Sequence, residues 1–105
     1  MMQMVEDRTW KSKVVENEKP VLAFMTAVWC PQCRAMTPFV QELAARDDLD
    51  VFRVQIEDNE DLQRQFQVMA VPTFVVMRDG EAVAQRSGLQ SKADFFAWVD
   101  EALAG

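Results

Sequence analysis

The chain has two cysteines, Cys30 and Cys33, which are separated by two residues and directly follow a tryptophan in the segment AVWCPQCRAM (27–36). This spacing is compatible with a redox-active dithiol, with half of a metal site, or with two small apolar core residues. Disulfide exchange needs a thiolate, and an ordinary cysteine with a pKa of about 8.5 is only ~3% ionised at pH 7. The surroundings of the pair therefore decide which chemistry applies.

The cysteines fall at a predicted junction between a strand and a helix. The segment VLAFMTAV (21–28) is a continuous apolar run, typical of a strand buried on both faces. Pro31 suits the first turn of a helix, which the apolar spacing predicts over 32–46. Unpaired N–H groups and the dipole at the start of this helix would stabilise a thiolate at Cys30. Cys33, one turn further on, is close enough to attack a mixed disulfide there, so we predict that Cys30 attacks and Cys33 resolves.

Two other interpretations of the cysteines stay open at this point. Free cysteines are commonly buried as small apolar residues, although a Cys-x-x-Cys pair at a strand-to-helix junction favours a redox site. A closed zinc site wants four protein ligands, and this chain has two cysteines and no histidine. Two chains could still pool their cysteines around a metal or an iron–sulfur cluster. For the single chain we predict no metal and no cofactor.

Strand and helix patterns alternate along the rest of the sequence. The predicted elements are a strand at 2–5, a short helix capped by Thr9, the strand 21–28, the helix 32–46 kinked at Pro38, a strand at 50–58, a helix capped by Asp58 or Asn59, strands at 73–77 and 81–87 joined by a turn at Asp79-Gly80, and a helix capped by Ser91. Such alternation implies parallel βαβ units, to which the final hairpin adds an antiparallel edge. We predict an α/β fold in one domain (1–105), with a central mixed sheet of about five strands flanked by four helices.

Composition narrows the range of partners. The net charge of −6 gives no general attraction to nucleic acid or to anionic lipid. The first ten residues, MMQMVEDRTW, lack the basic segment and long apolar run of a secretory signal, and no apolar run is long enough to span a bilayer. We therefore expect a cytoplasmic monomer that binds neither nucleic acid nor membrane.

The segment Trp29-Cys30-Pro31-Gln32-Cys33 resembles the active site of the thioredoxin family. Further motifs match in register over almost the whole chain: Pro38 as the helix-kinking proline, Val71-Pro72-Thr73 as the cis-proline loop, Gly80 in the hairpin, and Gly88 after it. The resemblance implies the thioredoxin fold, with a cis Val71-Pro72 bond opposite the dithiol and the Val71 backbone free to pair with an extended substrate. The substrate-binding residues that it implies are Trp29, Pro31, Gln32, Val71, Pro72 and Gly88.

The resemblance implies a thiol–disulfide oxidoreductase that reduces protein disulfides. Its electrons would come from a partner such as an NADPH-dependent thioredoxin reductase, because nothing in the chain resembles a Gly-rich nucleotide site. A binding module is the alternative: the dithiol would then be a redox-sensitive latch or an intersubunit metal or iron–sulfur ligand pair. Catalytic turnover discriminates between these two hypotheses.

Two features depart from the family's pattern. The usual Gly-Pro between the cysteines is Pro31-Gln32 here, and because this pair tunes the redox potential, both directions of reaction stay open. Six positions before Cys30 the family usually has a buried aspartate, thought to assist proton transfer at the resolving cysteine. Here that residue is Phe24, and Arg53 replaces the accompanying lysine. Phenylalanine should favour stability over proton handling. Glu57, at the end of the same strand as Arg53, is a candidate substitute for the missing acid, but a solvated charge is the favoured interpretation.

Overall fold

The structure, a computed structural model that describes residues 2–105, is a five-stranded mixed sheet with helices on both faces. Its elements in chain order are β1 (Gln3–Met4), a 3-10 turn (Asp7–Thr9), a π-helical turn (Lys11–Val15), β2 (Val21–Thr26), α1 (Pro31–Ala44), β3 (Asp50–Gln55), a 3-10 turn (Ile56–Asp58), α2 (Glu60–Gln65), β4 (Thr73–Arg78), β5 (Glu81–Ser87) and α3 (Lys92–Ala104). The strand order is β1-β3-β2-β4-β5. With the helical segment 7–15 as the first of four helices, the predicted α/β fold is confirmed.

The apolar run ahead of the cysteines is the centre of the sheet. All six residues of β2 are buried, because the strand lies between two neighbours and under helices on both faces. It pairs in parallel with β3 and antiparallel with β4, and β5 completes the hairpin as an exposed edge. The cysteines therefore follow the carboxyl end of the central strand, which is where open α/β sheets have their functional sites.

Each face of the sheet has its own core. On the first face, the segment 7–15 and α2 contribute Trp10, Val14, Leu62 and Phe66. On the second face, α1 and α3 contribute Met36, Val40, Leu43, Phe95 and Val99. Alternation along β3 directs Val54 to the first core and Arg53 to the second, so a cation points toward the face that carries the cysteines.

Three phenylalanines fill the second core beneath α1 and α3. Phe24 is 1% exposed and stacks on Phe74, with ring centroids 5.3 Å apart and planes within 6°. Phe74 in turn contacts Phe95 of α3, with centroids 4.6 Å apart. Position 24 is thus a packed apolar site that joins two strands to a helix, and not a site that holds a carboxylate.

Several predicted boundaries differ from the structure by a few residues. β2 ends at Thr26 instead of 28, because the chain turns outward and leaves Val28 75% exposed. α1 covers residues 31–44 instead of 32–46, and β3 ends at 55 before a 3-10 turn. The prediction that Thr9 caps the first helix is wrong. Thr9 is the last residue of the preceding 3-10 turn, and its hydroxyl accepts the N–H of Glu6 at 3.0 Å. Trp10, and not Thr9, is the residue before the helical turn 11–15.

The start of α2 is capped from a distant part of the chain. Asn59 is the N-cap residue, as one of the two predicted alternatives, but its side chain does not cap this helix. Its Oδ1 accepts the N–H of Asp7 at 2.9 Å. The Asp7 carboxylate in return accepts the N–H groups of Asp61 and Leu62 at 3.2 and 3.0 Å. The helical segment 7–15 and α2 are therefore joined by reciprocal hydrogen bonds.

The caps and turn predicted for the last third of the chain are confirmed. Ser91 Oγ accepts the N–H of Asp94 at 3.1 Å and so caps α3. Asp79 and Gly80 both have positive φ, 54° and 81°, as a two-residue Asp-Gly hairpin turn requires. The backbone that follows β5 turns back toward the cysteines through Gly88.

Candidate active site

Cys30 occupies the position that a serine or aspartate takes when it caps a helix. Its backbone is extended (φ −93°, ψ 108°), and its Sγ accepts the N–H of Cys33 at 3.1 Å. Pro31 is the first helical residue, where no N–H is needed, and the carbonyl of Cys30 accepts the N–H of Arg34 at 3.2 Å. The sulfur therefore lies at the positive end of α1, where negative charge is stabilised.

The two cysteines form a disulfide, with Cα atoms 5.2 Å apart. In this oxidised state both residues are almost fully covered, with 3% of Cys30 and 2% of Cys33 exposed. Cys33 lies on the inner face of α1 and belongs to the second core with Phe24 and Phe74. The pair is thus anchored to a rigid helix and a packed core, with Cys30 at the outer end.

The loop before β4 lies directly against Cys30. The Val71-Pro72 bond is cis, as the resemblance implied, and the carbonyl oxygen of Val71 lies 3.7 Å from Cys30 Sγ. The N–H of Gly88 donates to the carbonyl of Pro72 at 2.9 Å, with Gly88 at φ 96°. A Cβ at position 88 would meet no atom within 4 Å, so this backbone borders open space. The structure thereby places Val71, Pro72 and Gly88 beside the dithiol.

Large apolar side chains are exposed around this covered disulfide. They are Val28, Trp29 and Met69, with exposures between 62% and 94%. Trp29 and Val71 line one cavity of about 120 Å³ together with Met69. Pro31 and Gln32 are exposed on the first turn of α1. Together these residues form a largely apolar surface next to Cys30, which suits a partner that brings its own apolar side chains.

Sequence reasoning missed one residue of this surface and misjudged another. Met69 is the most exposed of the large apolar side chains, and its position two residues before Val71 was the available signal. Glu57 is exposed, but it is not simply a solvated charge. Its Oε2 accepts the indole N–H of Trp29 at 2.8 Å, so this carboxylate orients the tryptophan beside the cysteines.

A second cavity, of about 200 Å³, lies on the inner side of the dithiol. It is lined by the ends of β2 and β3 and the first turns of α1: Thr26, Ala27, Val28, Cys33, Arg34, Thr37, Arg53 and Gln55. Arg53 Nε is buried and has no hydrogen-bond partner among the described residues. Among the described residues Arg53 forms no ion pair, and its side chain lines the same cavity as the inner cysteine.

Within residues 2–105, no group of three or more histidine, cysteine, aspartate or glutamate residues is placed to hold a metal ion. None of the helices described has both the length and the apolar character needed to cross a membrane.

A disulfide between a helix N-cap and the next turn can exchange with an external disulfide. The outer sulfur has the hydrogen-bond donor and the helix dipole that stabilise a thiolate, and the inner sulfur is held within bonding distance of it. The sheet topology, the cis-proline loop and this disulfide together define a thiol–disulfide oxidoreductase.

Comparison with known proteins agrees with this class. The sequence profile of the family described as Thioredoxin matches residues 1–101. The thioredoxin of Rickettsia felis is 27% identical over 105 residues, which cover 98% of this chain and 100% of the relative. The thioredoxin of Mycobacterium tuberculosis is 33% identical over 91 residues, or 85% of this chain and 78% of the relative. The chain belongs to the thioredoxin family.

One relative is a fusion protein. A Mycobacterium leprae protein named bifunctional thioredoxin reductase/thioredoxin is 32% identical over 91 residues. The match covers 85% of this chain and 20% of that protein.

Proposed function

We propose that this oxidoreductase works as a reductant of protein disulfides, with Cys30 as the attacking residue and Cys33 as the resolving residue. The observation that carries this assignment is the position of Cys30 Sγ. It accepts the Cys33 N–H at the start of α1 and lies 3.7 Å from the Val71 carbonyl, at the edge of the exposed apolar surface. Cys33, by contrast, lies within the first turn of α1 and lines the inner cavity, whose lining does not include Cys30.

The reaction has two exchange steps. In the first, the Cys30 thiolate attacks one sulfur of the substrate disulfide; a mixed disulfide forms and the other substrate sulfur leaves as a thiolate, which takes a proton from water. In the second, Cys33 gives its proton to water and its thiolate attacks Cys30 Sγ. The Cys30–substrate bond breaks, and the second substrate thiolate leaves and is protonated. The dithiol is oxidised to the Cys30–Cys33 disulfide, and the substrate disulfide is reduced to two thiols.

The substrate surface in this proposal consists of Trp29, Pro31, Gln32, Val71, Pro72 and Gly88. Its support is their placement around Cys30: Trp29 and Val71 line one cavity, and Gly88 is hydrogen-bonded to Pro72. An extended substrate segment would lie along the Val71 backbone, as an added strand does, with its disulfide above Cys30. Glu57 and Met69 extend this surface.

A second protein must return electrons to the dithiol, and we propose an NADPH-dependent thioredoxin reductase for this role. The Mycobacterium leprae relative, whose name joins the two activities in one protein, supports this pairing. The proposal places the protein in the cytoplasm as a single-domain monomer without nucleic-acid or membrane partners, in keeping with its net charge of −6.

The test is turnover on a protein disulfide. The oxidised protein is mixed with insulin and dithiothreitol, and insulin reduction is followed against dithiothreitol alone. Catalysis is the expected result, and its absence would favour the binding module. Cys33→Ser should accumulate mixed disulfides with insulin, whereas Cys30→Ser should accumulate essentially none. The reverse pattern would exchange the two roles.

A further inference from the structure

The cavity on the inner side of the dithiol contains a charge that the exchange reaction, as described, does not use. Arg53 leaves β3 toward the second core, and its strand neighbour in the parallel register is Phe24 of β2. Its side chain lines the same cavity as Cys33, and its Nε is buried without a hydrogen-bond partner among the described residues. Buried donors are nearly always satisfied, so an unpartnered guanidinium nitrogen beside a reactive cysteine calls for an explanation.

The two charged residues among the described lining of this cavity, Arg34 and Arg53, are both positive. β2 has no ionisable residue, and β3 contributes Arg53 to the cavity. α1 contributes Arg34, which is exposed and donates to the carbonyl of Val28 at 3.3 Å. β4 and α3 approach Cys33 with Phe74 and Phe95, and no acid is found among the described residues that line the cavity.

The first acidic residue that follows β3 along the chain is Glu57, and its carboxylate forms a hydrogen bond outside this cavity. Glu57 accepts the Trp29 indole N–H and does not line the inner cavity. Phe24, the residue paired with Arg53 on the neighbouring strand, is buried and apolar. The environment of Cys33 thus has no acid or base to carry its proton, but it has a cation that favours the deprotonated form.

We propose that Arg53 is a positioning residue for the resolving step, and that its guanidinium stabilises the Cys33 thiolate that attacks the mixed disulfide. The Cys33 proton goes to water, and no protein base takes part. The inference rests on the proposed roles of the two cysteines, and it adds a residue that acts through Cys33 without touching the substrate. Stabilisation by a positive charge has a second consequence, because a more stable thiolate is also a weaker nucleophile.

The first experiment titrates Cys33 directly. In a Cys30→Ser background, where Cys33 is the single cysteine, the Cβ chemical shift of Cys33 is followed against pH by NMR. This measurement requires neither a reagent that reaches Cys33 nor catalytic turnover. Its result can therefore contradict the role of Arg53 without contradicting the proposed function. Replacing Arg53 by Met should raise the titration midpoint by about 1 pH unit, a tenfold loss of thiolate at pH 7, since an opposite charge within a few ångströms shifts a pKa by about 1 to 3.

Two variants separate charge from packing. Arg53→Lys restores a cation and should return the midpoint close to that of the parent protein. Arg8→Met removes the same charge from an exposed site (84% of the Arg8 side chain) and should leave the midpoint unchanged. If Arg53→Met does not fold, Arg53→Gln takes its place. Equal midpoints for the parent, Met or Gln, and Lys proteins would overturn the proposal.

The second experiment follows the rate of resolution in the two-cysteine protein. A mixed disulfide on Cys30 is formed with a small aromatic thiol, and release of that thiol is timed by stopped flow from pH 6 to pH 10. With a Brønsted coefficient of about 0.5, the tenfold loss of thiolate in Arg53→Met should slow release only about threefold at pH 7. Above both midpoints, the more basic thiolate should release the thiol about threefold faster than the parent does. A packing defect would slow release at every pH, and that result would also contradict the proposal.

Discussion

At the scale of single residues, the hydrogen bond between Trp29 and Glu57 gives the substrate surface a fixed element. An exposed indole is free to adopt several rotamers, and the carboxylate selects one of them at 2.8 Å. A charge-assisted hydrogen bond of this kind contributes about 1.5–3 kcal/mol when it is shielded from solvent, and less at an exposed site. The orientation of Trp29 should therefore matter for large substrates and not for small ones.

Glu57→Ala should weaken reduction of a protein disulfide while leaving that of a small disulfide unchanged. With about 1 kcal/mol lost from the exposed bond, kcat/KM for insulin should fall about fivefold. The small control substrate is an aromatic disulfide reagent, which needs no extended surface. Asp58→Ala is the matched variant, because Asp58 is the next acid along the chain and is also exposed. Equal losses in the two variants would contradict a role for the Trp29 contact.

At position 24, an apolar side chain favours stability, whereas a carboxyl group would favour proton transfer to and from Cys33. Phe24→Asp removes a ring stacked on Phe74 and buries a carboxyl group, so it should lower the free energy of unfolding by about 3–5 kcal/mol. Phe24→Leu keeps the site apolar and should lower it by only about 1 kcal/mol. Urea denaturation of the oxidised proteins measures both values. The carboxyl group should also speed resolution by Cys33 near neutral pH, and a variant as stable as the parent would show that the carboxyl group has escaped burial.

At the scale of elements, caps and turns fix how the helices meet the sheet. Gly80 has φ 81° in the β4–β5 turn, and a Cβ there would lie 3.2 Å from the carbonyl oxygen of Val15. Gly88 has φ 96°, but a Cβ there would meet no atom within 4 Å. The two glycines therefore share a backbone conformation and differ in their surroundings.

Gly80→Ala should be more destabilising than Gly88→Ala. Both substitutions strain a left-handed residue, by about 1 kcal/mol, but only the first also pushes the hairpin against the helical segment 7–15. Thermal unfolding should give a lower Tm for Gly80→Ala by at least several degrees, since 1 kcal/mol shifts the Tm of such a domain by about 4–8 °C. Similar Tm values for both variants would mean that the contact with Val15 relaxes at no cost.

An ion-pair network joins the end of α1 to α3. Arg46 donates to Asp48 at 2.7 Å and to Asp100 at 2.8 Å. The hydrogen bond from Arg46 holds the pKa of the Asp48 carboxyl below its ordinary value. The contribution of this carboxylate to stability is therefore present above its unfolded pKa of about 3.9, and it is lost as the pH falls through the lower folded-state pKa.

Arg46→Gln should lower the free energy of unfolding by about 0.5–1 kcal/mol at pH 7, a modest value because both carboxylates are more than half exposed. The difference from the parent protein should shrink as the pH falls below the unfolded pKa of about 3.9 and through the lower folded-state pKa of Asp48, because a protonated Asp48 no longer forms the ion pair. Arg64→Gln breaks a single exposed pair with Asp61 and should have a smaller effect. Urea denaturation at pH 7 and pH 3 measures all three proteins, and a constant difference at both pH values would exclude the ionic explanation.

At the scale of the whole molecule, the features that the sequence predicts correctly are those that depend on residues close together in the chain. The apolar run of β2, the Asp-Gly turn and the Ser91 cap each depend on a few neighbouring residues, and all three are confirmed. The position of Cys30 at a helix start also follows from a local signal, Pro31. The roles of the substrate-binding residues stay predictions, because their placement beside Cys30 does not measure binding.

Features made by distant segments could not be predicted. Threonine is a common helix cap, so the sequence predicts that Thr9 caps the first helix. Its hydroxyl instead bonds to Glu6 in the preceding turn, and that depends on backbone geometry that the residue type does not reveal. The bond between Trp29 and Glu57 joins residues 28 positions apart, and no periodicity marks it. Met69 and Arg53 gain their surroundings only when loop and strand ends meet at one edge of the sheet.

The bonds between Asp7 and the start of α2 bear on the order in which the chain folds. A six-residue helix is unstable alone in water, and here two of its first N–H groups are satisfied by a carboxylate more than 50 positions away. Because the first turn of α2 depends on a contact with Asp7, the helix should form only after residues 7–15 have come together with residues 60–65. In native-state hydrogen exchange, Asp7→Ala should speed exchange of the Leu62 amide about fivefold, for a cap worth about 1 kcal/mol, and leave Val75 in β4 unchanged. An unaltered Leu62 rate would mean that α2 opens independently of Asp7. The expected rate would mean that residues 7–15 and α2 open as one cooperative unit, separate from the central sheet.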